Sequence, residues 1–146
     1  MSKTILIVED NDVNMRLFTD ILEMHAHTVL QATDGPKGLA IAREHRPDLI
    51  LMDVQLPGMS GLDVTTELKR DAALRHIPVV ALTAFAMKGD EERIRQAGCD
   101  GYLSKPIRLP AFLETVRRYI DHGSPATEQG LAVPRSGMQS SPILSA

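Results

Sequence analysis

Carboxylates stand at the ends of two short apolar runs in this chain. Ile5-Leu6-Ile7-Val8 leads straight into Glu9-Asp10, and Leu49-Ile50-Leu51-Met52 leads straight into Asp53. A third run, Tyr102-Leu103-Ser104, is followed by Lys105-Pro106. Short, continuously apolar runs predict buried strands, and the carboxyl ends of strands in an open parallel sheet converge on one crevice. Residues distant in sequence then meet in space. Carboxylates crowded together repel one another and need a cation, and hard oxygen donors suit Mg²⁺. A carboxylate neutralised in this way can accept a phosphoryl group.

The elements that must position these groups follow from the hydrophobic pattern. Thr4–Val8 reads as a strand, and a helix from Asn11 to about Met24 follows with Leu17, Phe18, Ile21 and Leu22 on one face. Thr28–Gln31 is a second, weaker strand. Asp34 caps the next helix, Pro36 lies in its first turn, Leu39, Ile41 and Ala42 face inward, and the helix stops before Pro47. Asp48–Met52 is the third strand. Pro57-Gly58 breaks the chain, and Ser60-Gly61-Leu62-Asp63 is a capping box with Asp in place of Glu; Val64, Leu68 and Leu74 form the buried side of that helix. Ile77–Leu82 is the fourth strand with Pro78 at its entry, and a helix from Met87 to Gln96 ends at Gly98. Gly101–Ser104 is the fifth strand, and Pro110 opens a last helix through Ile120. Repeated β-α units of this kind predict an α/β fold, a parallel sheet with helices on both faces.

The chain has 146 residues and is 43% hydrophobic, the size and composition of one globular domain. Its net charge of −3, from 16 basic and 19 acidic side chains, leaves no electrostatic footprint for nucleic acid. No apolar stretch reaches spanning length, and Met1-Ser2-Lys3 leads into a strand rather than a secretory segment, so no membrane insertion is expected. The single Cys99 excludes an internal disulfide, reads as a structural thiol in a turn, and makes the cytoplasm the expected location. The histidines match no zinc spacing, and His25 and His27, astride a turn, read as solvated surface. From Gly123 the composition shifts to Ser, Pro, Gly, Ala and Gln, so residues 1–122 are expected to form the domain and 123–146 a flexible tail.

Glu9-Asp10 after the first strand, Asp53 after the third, Thr83-Ala84 after the fourth and Lys105-Pro106 after the fifth form an order that resembles the receiver domain of two-component response regulators. The resemblance covers about residues 3–120. The strings Val8-Glu9-Asp10-Asn11-Asp12-Val13-Asn14-Met15 and Thr83-Ala84-Phe85-Ala86-Met87-Lys88-Gly89-Asp90-Glu91-Glu92-Arg93-Ile94 are similar to those of DivK-type regulators, stand-alone receivers of bacterial cell-division control. The resemblance implies a flavodoxin-like (CheY-like) doubly wound sheet of strand order 2-1-3-4-5. It also implies a phosphoprotein with Asp53 as phosphoacceptor and Thr83 and Lys105 beside it, with no activity on other substrates beyond self-phosphotransfer and autodephosphorylation. Mg²⁺ would be held by Asp10, Asp53, the Gln55 backbone carbonyl and Glu9, the last directly or through water. Phosphorylation would add roughly one negative charge to a site that Mg²⁺ and Lys105 leave near neutral. Thr83 would turn toward the phosphoryl group, and Tyr102 matches the family's rotating aromatic. The Lys105-Pro106 peptide is expected to be cis.

Each residue alone has a plainer role: a strand-end Asp as turn former or cap, Thr83 as a β-branched strand end, Tyr102 as a half-buried aromatic, Lys105 as a solvated charge. Their conjunction points to the phosphoacceptor site. Sensor histidine kinases or histidine phosphotransfer proteins are the expected donors, docking at a crevice rim flanked by Asn11, Asn14, Pro106 and Ile107; the two asparagines also read as helix-start residues. With no room for an output domain after the last helix, the signal is expected to leave through the face formed by Met87–Ile120. The arginines of that face, Arg93, Arg95, Arg108, Arg117 and Arg118, read singly as solvated exterior. A weak homodimer is left open. Phe85, with Gln55, is expected to hinder hydrolysis and prolong the phosphorylated state. A Mg²⁺-dependent aspartyl phosphohydrolase similar to the haloacid-dehalogenase-type enzymes would need a second Asp two residues after its nucleophile as general acid, where Gln55 stands. An FMN carrier would need a phosphate loop where Glu9-Asp10-Asn11-Asp12 stands. A phosphate sink without output of its own is left open.

Overall fold

The most continuously apolar strands take the centre of the sheet. In the computed structural model, which describes residues 3–84 and 88–122, β1 (Thr4–Val8), β3 (Leu49–Asp53) and β4 (Val79–Thr83) are buried almost throughout. β2 (Thr28–Ala32) and β5 (Gly101–Ser104), partly exposed, form the two edges. Every pairing is parallel and the order is β2-β1-β3-β4-β5, as the resemblance implied. Burial on both faces is why the central strands read as unbroken apolar runs.

Helices α1 (Asp12–Met24) and α5 (Leu109–His122) cover one face of the sheet. There Phe18 stacks on Phe112 at a centroid separation of 5.0 Å, above Ile5, Ile7, Leu49, Leu51, Val80 and Leu82. Helices α2 (Gly35–His45) and α3 (Gly61–Arg70) cover the other face through Leu39, Ala42, Val64 and Leu68, against Leu6, Val8, Ile50 and Met52. α4 (Lys88–Ala97) lies beside α3 and ends at Gly98, whose φ of +104° is the left-handed conformation that stops a helix. Among the described residues no helix is long and apolar enough to cross a membrane.

The expected caps are present. Asn11 Oδ1 accepts the Asn14 amide at 2.9 Å, Asp34 Oδ1 accepts the Lys37 amide at 2.9 Å, and Ser60 Oγ accepts those of Leu62 and Asp63 at 3.2 and 3.3 Å. Several details differ from the sequence reading. β4 runs from Val79 to Thr83 rather than from Ile77 to Leu82, because the Ile77 amide turns back to the Leu74 carbonyl at 3.0 Å. Leu17 is exposed, because Met15, Phe18, Ile21 and Leu22 define the inward arc of α1 and Leu17 falls beyond its edge. Leu74 is buried, but α3 ends at Arg70 and Leu74 is tucked in by the turn that follows. Asp48 precedes β3 instead of opening it; its carboxylate accepts the Thr4 amide at 2.8 Å. His27 is half-buried rather than solvated, and its Nδ1 accepts the Lys3 amide at 3.3 Å.

Candidate functional site

Three strand ends bring the charged residues together. Glu9 follows β1 and its amide extends the ladder to the Ala32 carbonyl at 3.0 Å. Asp53 closes β3, and Lys105 follows β5 with its amide bonded to the Thr83 carbonyl at 2.7 Å. Glu9 is wholly buried and Asp53 is 2% exposed, whereas Asp10 faces solvent. Lys105 Nζ reaches Asp53 Oδ2 at 3.3 Å and Glu9 Oε1 at 3.7 Å. The Gln55 amide donates to Asp53 Oδ1 at 3.0 Å, and the Asn11 amide donates to Glu9 Oε2 at 3.2 Å.

The loop after β3 is held by backbone contacts as well. Val54 N bonds the Leu82 carbonyl and Gly61 N bonds the Val54 carbonyl, both at 3.0 Å. Gly61 comes so close to the strand end that a Cβ there would run into the Asp53 carbonyl. The first residue of α3 therefore sets where the Asp53 backbone can lie.

The cluster carries surplus negative charge. One lysine faces two buried carboxylates, and oxygens of Glu9, Asp10 and Asp53 lie within 4.8 Å of one another. Burial raises Glu9 from 4.5 to about 7, the Asp53 carboxylate adds to the rise, and Lys105 and the Asn11 amide act against it. Glu9 Oε1, sealed from solvent, accepts no hydrogen bond from the described residues. An orphaned buried carboxylate oxygen beside two other carboxylates fits a hard divalent cation such as Mg²⁺. Asp10, Asp53 and Glu9 are the side chains that could hold it. Gln55, two residues after Asp53, is exposed and carries no acid.

The other sequence candidates fall around this centre. Thr83 is buried at the end of β4, opposite Ser104 in register. Tyr102 pairs with Ala81, so it and Thr83 lie on the same face of the sheet. Its hydroxyl donates to the Glu91 carboxylate of α4, and burial together with that carboxylate raises the phenol pKa. The Lys105-Pro106 peptide is cis. Asn11 is exposed and its side-chain oxygen is used as a cap; Asn14 is partly exposed and donates its amide to that cap. Pro106 is exposed, and Ile107 packs partly against the α1/α5 core. All five arginines of the 87–120 face are exposed, with Arg93 paired to Asp90 at 2.8 Å. Phe85 and Met87 lie outside the described residues. The sequence reading missed Glu91 as a partner of Tyr102, since an acid eleven residues upstream on a helix carries no local signal of that contact.

A family model for the response regulator receiver domain matches residues 5–117. The polar-differentiation response regulator DivK of Brucella anthropi is 59% identical over 120 residues, which are 82% of this chain and 98% of that protein. Among solved structures, the receiver domain of a sensor histidine kinase of Pseudomonas aeruginosa, with a magnesium ion in its active-site cleft, is 36% identical with a TM-score of 0.77. The alignment covers 83% of this chain and 99% of that one. A phosphorylated cyanobacterial phytochrome response regulator is 29% identical with a TM-score of 0.74, over 84% and 96% of the two chains.

Proposed function

The chain belongs to the response regulator receiver family, and from that premise we propose that it accepts a phosphoryl group on Asp53 from a phosphohistidine of a kinase or phosphotransfer protein. The observation that carries this reading is the meeting of a buried Asp53 with Lys105 and two further carboxylates at one sheet end.

Asp53 Oδ1 accepts the Gln55 amide, while Oδ2 lies toward Lys105. In the proposed step a carboxylate oxygen of Asp53 attacks phosphorus, the P–N bond to the donor imidazole breaks, and that imidazole leaves with its electron pair and takes a proton. Lys105 stabilises charge on the phosphoryl oxygens, and the Thr83 hydroxyl donates to one of them. Glu9, Asp10 and Asp53 with the Gln55 carbonyl would hold Mg²⁺, which would supply the charge neutralisation needed for two anions to approach. Gln55 supplies no acid for rapid turnover of small phosphates, which favours a signalling state over a phosphohydrolase.

The DivK relatives are named for polar differentiation, and the corresponding role here is cytoplasmic control of cell division through protein contacts. The donor would approach the rim of Asn11, Asn14, Pro106 and Ile107, and the output partner the face spanning 87–120. Incubation with acetyl phosphate and Mg²⁺, then with purified histidine kinases, tests the reading. An alkali-labile, hydroxylamine-sensitive label is expected on the wild type and is expected to vanish in Asp53→Asn. A label that persists in Asp53→Asn overturns it.

A further inference from the structure

The contact between α4 and the edge strand β5 bears on how the site is read out. Tyr102 lies on the Thr83 face of the sheet, and its hydroxyl donates to Glu91 in the first turn of α4. Of the neighbouring charges, Arg93 pairs with Asp90 at 2.8 Å and Arg95 with Glu92 at 3.6 Å, and Arg95 also acts on the phenol, against the larger effects of burial and Glu91. Among the described residues Glu91 forms no ion pair, and its carboxylate accepts the phenol hydroxyl. A hydrogen bond to an ionised acceptor is stronger than a neutral one, and a helix amino end favours a negative side chain. Burial and the carboxylate both raise the Tyr102 pKa, so the hydroxyl keeps the proton it donates.

We propose that Glu91 is a positioning residue that latches Tyr102 to α4 and so sets how much of the unphosphorylated protein adopts the signalling arrangement. This rests on the phosphoacceptor reading above, in which Tyr102 turns inward as Thr83 engages the phosphoryl group, and names the group that opposes the turn. For Tyr102 to rotate, its hydroxyl must leave Glu91. Removing the carboxylate removes a bias worth roughly a tenfold change in population, which also appears in the apparent ease of phosphorylation.

The test uses the full chain labelled with 3-fluorotyrosine. Its two tyrosines give two ¹⁹F resonances, assigned with Tyr102→Phe. Beryllofluoride with Mg²⁺ marks the signalling position of the Tyr102 resonance. In Glu91→Ala without beryllofluoride, that resonance is expected to move toward the marked position, and labelling of Asp53 by acetyl phosphate is expected to speed up about three- to tenfold. Glu91→Gln, which keeps an uncharged acceptor, should move both by less, and Glu92→Ala should move neither. An unchanged resonance and rate in Glu91→Ala, or an equal change in Glu92→Ala, overturns the latch. A wild type that labels at Asp53 but whose Tyr102 resonance ignores beryllofluoride overturns the latch alone. A wild type that takes no label at Asp53 overturns the phosphoacceptor reading with it.

Discussion

The two ends of the sheet each bury a lysine with aspartate, and they do opposite things with it. At the amino end, Asp100 precedes β5, and its Oδ2 accepts both Lys69 Nζ at 3.0 Å and the Val79 amide at 2.8 Å. Lys69 Nζ also donates to the carbonyls of Arg75 and Ile77 at 3.0 and 2.9 Å. Charges match one to one, and all three ammonium donors are used. At the carboxyl end, Lys105 is shared between Asp53 and Glu9 at longer distances, Asp10 adds a third acid, and Glu9 Oε1 stays without a hydrogen bond from the described residues. The same residue types form a closed clasp where charge balances and the proposed phosphoacceptor centre where it does not. A buried ion pair is therefore read by its balance, not by its presence.

Breaking each lysine separates the two ends most sharply. Lys69→Met leaves Asp100 buried without its counter-charge and is expected to cost roughly 3–5 kcal/mol by urea denaturation, with no recovery on adding Mg²⁺. Lys105→Met is expected to cost less, to regain stability with Mg²⁺, and to lose most phosphorylation by acetyl phosphate. Equal Mg²⁺ response in the two variants would dissolve the distinction.

The pH dependence comes next in size. Glu9 rises from 4.5 to about 7 in the fold, so the folded protein binds that proton more tightly than the unfolded chain. Without divalent cations, stability should therefore fall as pH climbs from the lower value to the higher and then level off, by up to roughly 3 kcal/mol. Metal binding must displace the same proton, so Mg²⁺ affinity should weaken below neutrality by about tenfold per pH unit. Calorimetry and Mg²⁺ titration at several pH values measure both, and Glu9→Gln is expected to flatten them.

Gly61→Ala sharpens the comparison from the backbone side. The added methyl meets the Asp53 carbonyl, so about 1–3 kcal/mol of stability and much of the phosphorylation rate should be lost together. The smallest effect is expected from Ser60→Ala, which removes the α3 cap at a cost of about 1 kcal/mol and leaves the phosphorylation rate near that of the wild type. A large rate loss there would mean that α3, not Gly61 alone, sets the Asp53 position.

Local features of the site were legible because strand-end chemistry is written in neighbouring residues. Apolar runs ending in Glu9, Asp53 and Lys105 marked the crevice, and Asn11, Asp34 and Ser60 marked helix starts. The periodicity reached a parallel sheet; the order β2-β1-β3-β4-β5 came from the family resemblance. What escaped the sequence was non-local. The Lys69–Asp100 clasp joins residues 31 apart, and Glu91 meets Tyr102 only because α4 lies over an edge strand. Leu17 departs from the sequence reading because a helical arc has soft edges: one turn before Ile21, just beyond the buried edge, the side chain already meets water.

The clasp has a mechanical consequence. Because Asp100 binds the first amide of β4 while leading directly into β5, the starting points of these strands are fixed to each other and to α3 through Lys69. Strain arising beyond Thr83 and Ser104 finds no relief in slippage of one strand along the other. With that route closed, an anchored base would turn the proposed chemical event at the opposite rim into lateral displacement of α4.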